Sequence, residues 1–103
     1  MHARVSIVRF RDDAIEDATK IFRDIMLPSA RPQKGFQGAL ILRNGTQQDQ
    51  HIVISMWETE ADLRASHAPE DVVPLLQPLN EYIIESSQEI YEVLLKLDGK
   101  SAQ

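Results

Sequence analysis

Apolar and polar residues alternate over roughly residues 3–10, with Val5 and Ile7 on one face of an extended chain and Val8 and Phe10 on the other. That is the period of a β-strand. Ile15, Ala18, Phe22, Ile25 and Met26 follow at helical spacing and form one apolar stripe. Asp12 or Asp13 stands where a helix N-cap belongs, and Asp13 with Glu16 resembles a capping box. Pro28 or Pro32 is expected to end this helix, because the residue before a proline avoids helical backbone angles. Gly35 opens an extended run from Phe36 to Arg43, and another extends from His51 to Glu58. Asn44-Gly45 favours a tight hairpin. That turn would set Leu40, Ile41 and Leu42 against Asp49, Gln48 and Gln47, and burying those polar groups is unfavourable. A longer loop over 44–50 pairs the apolar run with Ile52, Val53 and Ile54, and this is the register expected.

Thr59 caps a short helix to about Ser66, which Ala68-Pro69 ends. Leu75, Leu76, Leu79 and Ile83 predict a helix over about 74–85, kinked or delayed by Pro78. Gln88 to Leu97 reads as the last strand, with Tyr91, Val93, Leu95 and Leu97 on one face. From Gly99 onward a frayed tail is expected. The order βαββαβ is that of an α+β, ferredoxin-like domain, a single unit over residues 1–98 with two helices on one face of an antiparallel sheet. In the second and third strands both parities are apolar: Leu40 and Leu42 oppose Ala39 and Ile41, and Ile52, Ile54 and Met56 oppose Val53 and Trp57. Helices on one side leave the other face as a large apolar patch, which monomers rarely tolerate. A homodimer packing sheet on sheet is expected.

Composition narrows the chemistry. The chain has 103 residues, a formal charge of −5 and no cysteine. Cysteine-free, it has no disulfide, thiolate nucleophile, iron–sulfur cluster or Cys-ligated zinc. An acidic domain is a poor binder of nucleic acid or an anionic membrane. Arg4 and Arg9 interrupt any N-terminal apolar region of signal-peptide type, and no apolar run is long enough to span a bilayer. A cytoplasmic location is the default expectation. The sequence carries no Gly-rich phosphate loop, nucleophile elbow or dinucleotide fingerprint. No cofactor is therefore expected.

Met56-Trp57-Glu58-Thr59-Glu60-Ala61-Asp62-Leu63-Arg64-Ala65 resembles the Trp-Glu-Ser/Thr-x-x-x-Leu-x-Ala signature of the antibiotic biosynthesis monooxygenase-like family. It sits at the end of the third predicted strand, leading into the second helix. Lys34-Gly35-Phe36-Gln37-Gly38 resembles the Pro-Gly-Phe/Cys-x-Gly segment that precedes the family's second strand. The resemblance spans about residues 3–97 and implies a dimeric α/β barrel. It also implies either a cofactor-independent monooxygenase of a small aromatic, quinol or polyketide-like, or a non-catalytic small-ligand binder on the same fold. Haem-degrading members use an Asn on the first strand, a Trp within the second helix and a His beyond it. Here the first strand has no Asn, Trp57 precedes the helix, and Ser66 stands at the in-helix position. Of the Trp, Asn, Tyr and Arg set of the polyketide oxygenases, only Trp57 matches clearly.

Each candidate residue has an ordinary reading beside the functional one. Trp57 is either a core plug or the aromatic wall of a pocket. His67 is either a solvent-facing His near a helix C-terminus or the base beside Trp57. His67 and Glu70 have ligand spacing, but Pro69 lies between them and no second His is near, so no metal is expected. His51 shares the Trp57 face by strand parity and is a strand-edge or substrate-binding His. Arg9 shares a parity with Val5 and Ile7, and either snorkels at a strand end or holds a ligand oxygen. Tyr82 is a core residue or a second substrate contact. His2 is expected to be disordered.

Overall fold

The computed structural model describes residues 1–99. Four strands, β1 (His2–Phe10), β2 (Phe36–Arg43), β3 (Gln50–Trp57) and β4 (Ile83–Glu92), form one antiparallel sheet in the order β2-β3-β1-β4. A 3-10 turn (Asp12–Ala14), α1 (Ile15–Ile21), a π-helical turn (Phe22–Met26) and α2 (Leu27–Ala30) follow one another between β1 and β2. Three short helices, α3 (Glu60–Ala65), α4 (Val73–Leu76) and α5 (Leu79–Tyr82), connect β3 to β4. This is the α+β, ferredoxin-like arrangement that the periodicity predicts.

The register follows the apolar pattern. Leu42 pairs with Ile52 and Leu40 with Ile54, so the connection is the longer loop. Asn44 closes that loop through its side-chain oxygen, which accepts from the backbone N–H of Thr46 at 2.8 Å and of Gln47 at 3.0 Å. The cap at Thr59 is formed, its hydroxyl accepting from the N–H of Asp62 at 3.0 Å.

Several details differ from the sequence reading. His2 is ordered as the first residue of β1. Asp13 makes no capping hydrogen bond, because a 3-10 turn precedes the α-helix and places Ala14 at its N-cap. Pro28 does not end the long helix. The π-turn just before it, closed by Leu27 N–H to Phe22 C=O, widens the backbone. Widening moves the preceding carbonyls away from the proline ring, and the helix runs on to Ala30, short of Pro32. The segment expected as one helix over 74–85 is broken at Pro78 and stops at Tyr82, where Ile83 turns extended. β4 consequently begins and ends five residues earlier than Gln88–Leu97. Its last rung sets Glu92 against His2 of β1, and past that rung no strand among the described residues lies alongside. Leu94, Leu95 and Leu97 are therefore more than four-fifths exposed. Of the tail expected from Gly99, all but Gly99 lies outside the described residues.

Val8 and Phe10 of β1, Val53 of β3, Ala18 and Phe22 of the long helix, and Leu79 of α5 form the core on the covered face. The opposite face carries Val5, Ile7, Leu40, Leu42, Ile52, Ile54 and Met56, set side by side by the register. Ile7, Leu40 and Leu42 are more than two-fifths exposed there.

Candidate functional site

The covered face divides along the strands. At one end Val8, Phe10 and Val53 pack against the helices. At the other, the same parity places Arg4 and Ser6 on β1, Ser55 and Trp57 on β3, and Gln88 on β4. Small or polar groups cannot fill the space under the helices. Sheet and helices part around a cavity of about 330 Å³. Phe22, Met26 and Leu27 roof it, and Ser66, His67 and Ala68 after α3 close one side.

Trp57 borders this cavity and is only 2% exposed. Its indole N–H donates to the Ser55 hydroxyl at 3.0 Å, and Phe36 meets it edge-on at 5.3 Å between centroids. The ring is thus held from two sides with an apolar surface toward the cavity. His67 lies at the rim with an exposed side chain. Its Nδ1 is 3.0 Å from the carbonyl oxygen of Ala65. A carbonyl only accepts, so Nδ1 carries the proton, and in the neutral ring the Nε2 lone pair is left available. Gln33 fixes the backbone here. It donates to the His67 carbonyl at 2.9 Å and accepts from the His67 N–H at 3.2 Å. Its amide also donates to Ser29 C=O at 3.2 Å, which ties the rim to the helix.

The structure places the other predicted residues elsewhere. Arg9 is on the open face, paired with Asp49 at 3.1 Å and Glu85 at 3.3 Å. The parity with Val5 and Ile7 is as read, but that parity faces away from the helices. His51 shares the covered face with Trp57, yet six residues along β3 separate them, about 20 Å of strand. It is 3% exposed, its ring 5.0 Å from that of Phe10, and its Nδ1 is buried without a partner. Burial, the largest influence, pushes the His51 pKa down. Tyr82 packs against the core at the end of α5, with the Arg11 guanidinium 5.9 Å from its ring centre. Neither His51 nor Tyr82 lines the cavity.

Arg4, Ser6, Ser55, Gln88 and Gln33 are the cavity residues the sequence reading missed. A signal existed for Arg4 and Ser6: once Val8 and Phe10 face the helices, residues at the same parity must face them too. Nothing in the sequence marks Gln33, which acts through the tertiary fold. Arg4 donates from Nη2 to the Leu63 carbonyl at 3.0 Å, and its Nε is buried without a partner. Burial pulls the Arg4 pKa below its ordinary value. Among the described residues, no aspartate or glutamate lines the cavity, and Arg4 and His67 are its titratable side chains. Among the described residues, no three His, Asp or Glu side chains converge as metal ligands, and no helix is long and apolar enough to cross a membrane.

No curated protein matches the sequence. Solved structures do match the fold. SnoaB, a cofactor-independent oxygenase from Streptomyces nogalater, is 18% identical over 95% of this chain and 97% of its own, with a TM-score of 0.77. A Nitrosomonas europaea protein, described as a candidate antibiotic biosynthesis monooxygenase, is 17% identical, with a TM-score of 0.79 over 92% of this chain and all of its own. MhuD, a haem degrader from Mycobacterium tuberculosis solved with two haems in its active site, is 16% identical over 95% of this chain and 100% of its own, with a TM-score of 0.68. At such identities the likeness speaks for the fold alone. The antibiotic biosynthesis monooxygenase family's sequence model matches residues 1–72, which include the Trp57 segment and every strand but the last. The chain belongs to the antibiotic biosynthesis monooxygenase family.

Proposed function

We propose that the protein is a cofactor-independent monooxygenase of a small fused-ring aromatic, a quinol or a polyketide-like phenol, and works as a homodimer. The observation that carries this reading is the cavity itself: a buried indole on its floor and an imidazole with a free Nε2 at its rim. At about 330 Å³ it lies at the small end of ligand pockets. That size favours a compact ring system over a porphyrin, in keeping with the missing first-strand Asn.

In the proposed reaction the substrate supplies the electrons. An anthrone-type CH₂ opposite a carbonyl is acidic, and His67 Nε2 accepts its proton to leave an electron-rich anion. The anion passes electrons to dioxygen, and a C–O bond forms at that carbon. Cleavage of the O–O bond and loss of the second hydrogen turn CH₂ into C=O. The other oxygen atom leaves as water, taking up the proton held by His67. All four electrons that reduce dioxygen come from the substrate. Trp57 stacks on the ring and excludes water, and Gln33 positions the loop bearing His67.

The dimer reading is supported by the open face and by the leucine arm after β4. Both leave apolar side chains exposed in a chain that is otherwise charged, and a second copy packed sheet on sheet covers them.

Oxygen uptake with a panel of anthrones and hydroquinones tests the enzyme reading, wild type beside Trp57→Phe and His67→Ala. Uptake above the protein-free rate that falls at least about tenfold in His67→Ala is expected for a general base. If panel members bind but none draws oxygen, the protein is a non-catalytic small-ligand binder.

A further inference from the structure

Arg4 is the cation of the cavity, and its surroundings are unusual for an acidic protein. The chain carries a charge of −5, yet among the described residues no carboxylate side chain lines this cavity. Among the described residues Arg4, like Arg31 and Arg43, has no ion-pair partner, whereas Arg9, Arg11, Arg23 and Arg64 are paired. Of five N–H donors on its guanidinium, one is used, in the bond to Leu63 C=O. That bond is a structural role, since it satisfies a carbonyl at the end of α3. Nε has no partner and is shielded from solvent. A buried, unbonded N–H on a cation is unfavourable unless a ligand completes it.

On β3 and along the cavity side of the sheet the neighbours of Arg4 are polar, although its partner on β4 is Ile90. Ser55 lies directly across on β3, and Ser6 and Gln88 lie one step along the same face. Gln88 donates to the Ser6 hydroxyl at 3.2 Å, so the Ser6 O–H remains free to donate. Ser55 accepts from Trp57, which likewise frees its own proton. Two hydroxyls and the Arg4 guanidinium therefore occupy neighbouring positions in the cavity lining. Phe22, Met26 and Leu27 roof the cavity with apolar surface. A flat ring fits beneath that roof, and a carboxylate fits beside Arg4, where a guanidinium gives charge-assisted hydrogen bonds.

We propose that the ligand of this cavity is an aromatic carboxylate, its ring between Trp57 and the helical roof and its carboxylate on Arg4 with the Ser6 and Ser55 hydroxyls. The inference rests on the reading of the cavity as the substrate site and adds the charge of the substrate.

Naphthoate and naphthamide test it by calorimetric titration, since they share a ring and differ in charge. Wild type is expected to bind naphthoate at least about tenfold more tightly, as befits a charge-assisted, partly buried contact. Arg4→Gln should weaken naphthoate about tenfold or more while naphthamide binding changes by less than about twofold. Unchanged naphthamide binding also shows that the variant is folded. Arg4→Lys keeps the charge without the fork and should restore part of the preference. Arg23→Gln, an exposed arginine on the helix, should behave as wild type. Equal affinity of wild type for the two probes overturns the proposal, and so does a preference that survives Arg4→Gln. Failure of both probes to bind overturns the cavity reading with it. Absent oxygen uptake with a persisting naphthoate preference overturns only the monooxygenase reading.

Discussion

Ile7→Glu places a carboxylate in the middle of the open face and tests the dimer. Ile7 is on β1, flanked by Ile52 on β3 and Ser87 on β4. In the single chain it is 42% exposed. Full burial of an isoleucine contributes about 1.5–3 kcal/mol, so covering the remainder contributes about 1 kcal/mol per copy. Glutamate forfeits that gain and adds the penalty of a desolvated carboxylate beside Arg9, a cation already paired with Asp49 and Glu85, about 2 kcal/mol or more after relaxation. A twofold interface contains the substitution twice. The dimer should therefore lose about 6 kcal/mol, a factor of about 10⁴ in dissociation constant. Sedimentation velocity is the measurement. Wild type is expected to be dimeric at micromolar concentration, and Ile7→Glu monomeric over the same range. In the single chain the carboxylate can reach water, so far-ultraviolet circular dichroism should be retained. A monomeric wild type, or a variant that dissociates at the wild-type concentration, would refute the reasoning.

Three further outcomes follow from single contacts. Gly35 has φ +80, and a Cβ there would overlap the Asp62 carboxylate. Gly35→Ala should destabilise by about 1–2 kcal/mol from backbone strain alone, lowering Tm by at least about 4 °C; an unchanged melt would remove the argument. Thr59→Ala removes the hydroxyl that caps Asp62 N–H and should cost about 1 kcal/mol in denaturant unfolding. His51 titrates below its ordinary pKa in the folded protein, mainly because it is buried. The unfolded chain therefore binds a proton first as pH falls, so its contribution is intact above about 6.5 and is lost progressively below it. Equilibrium unfolding of wild type and His51→Phe between neutral and mildly acidic pH should show a shallower acid-side loss in the variant, and parallel curves would contradict it.

The first three strands were legible because alternation fixes which side chains share a face, whereas β4 lies five residues earlier than its alternation suggests. The loop over 44–50 was legible because one register alone matches Leu40 and Leu42 with Ile54 and Ile52. Trp57 was legible from its motif and its place at a strand end. Arg9 lies on the open face with Val5 and Ile7, which parity alone leaves undecided because it groups residues without saying which group the helices will cover. His51 was grouped with Trp57 for the same reason: parity sets the face but ignores the distance along the strand. Of the two prolines expected to end the long helix, Pro32 marks the stop, whereas Pro28 is carried inside it because the rule against continuation holds for an α-turn and the chain adopts a wider one. Gln33 was invisible, since both of its partners at His67 lie 34 residues away in sequence.

The same π-turn links the helix to the cavity. Phe22 and Met26, its first and last residues, both face the cavity, and Leu27 follows directly. A straight α-helix over a sheet would pack uniformly along its length, given apolar residues beneath it. Along β1 and β3 the covered face runs from the Val8–His51 rung through Ser6–Val53 to Arg4–Ser55. Val8 and Val53 hold the helix down through Ala18 and Phe22, while the two serines give it nothing apolar to meet. Serine in place of valine at two such positions forfeits about 1–2 kcal/mol of burial each. The core end carries that loss, which is why Val8, Phe10, Phe22 and Leu79 are all at most 5% exposed. Stability is concentrated at one end of the covered face so that the other end can remain open beside a fixed indole, and the placement of two serines and one arginine on alternate strand positions sets where the division falls.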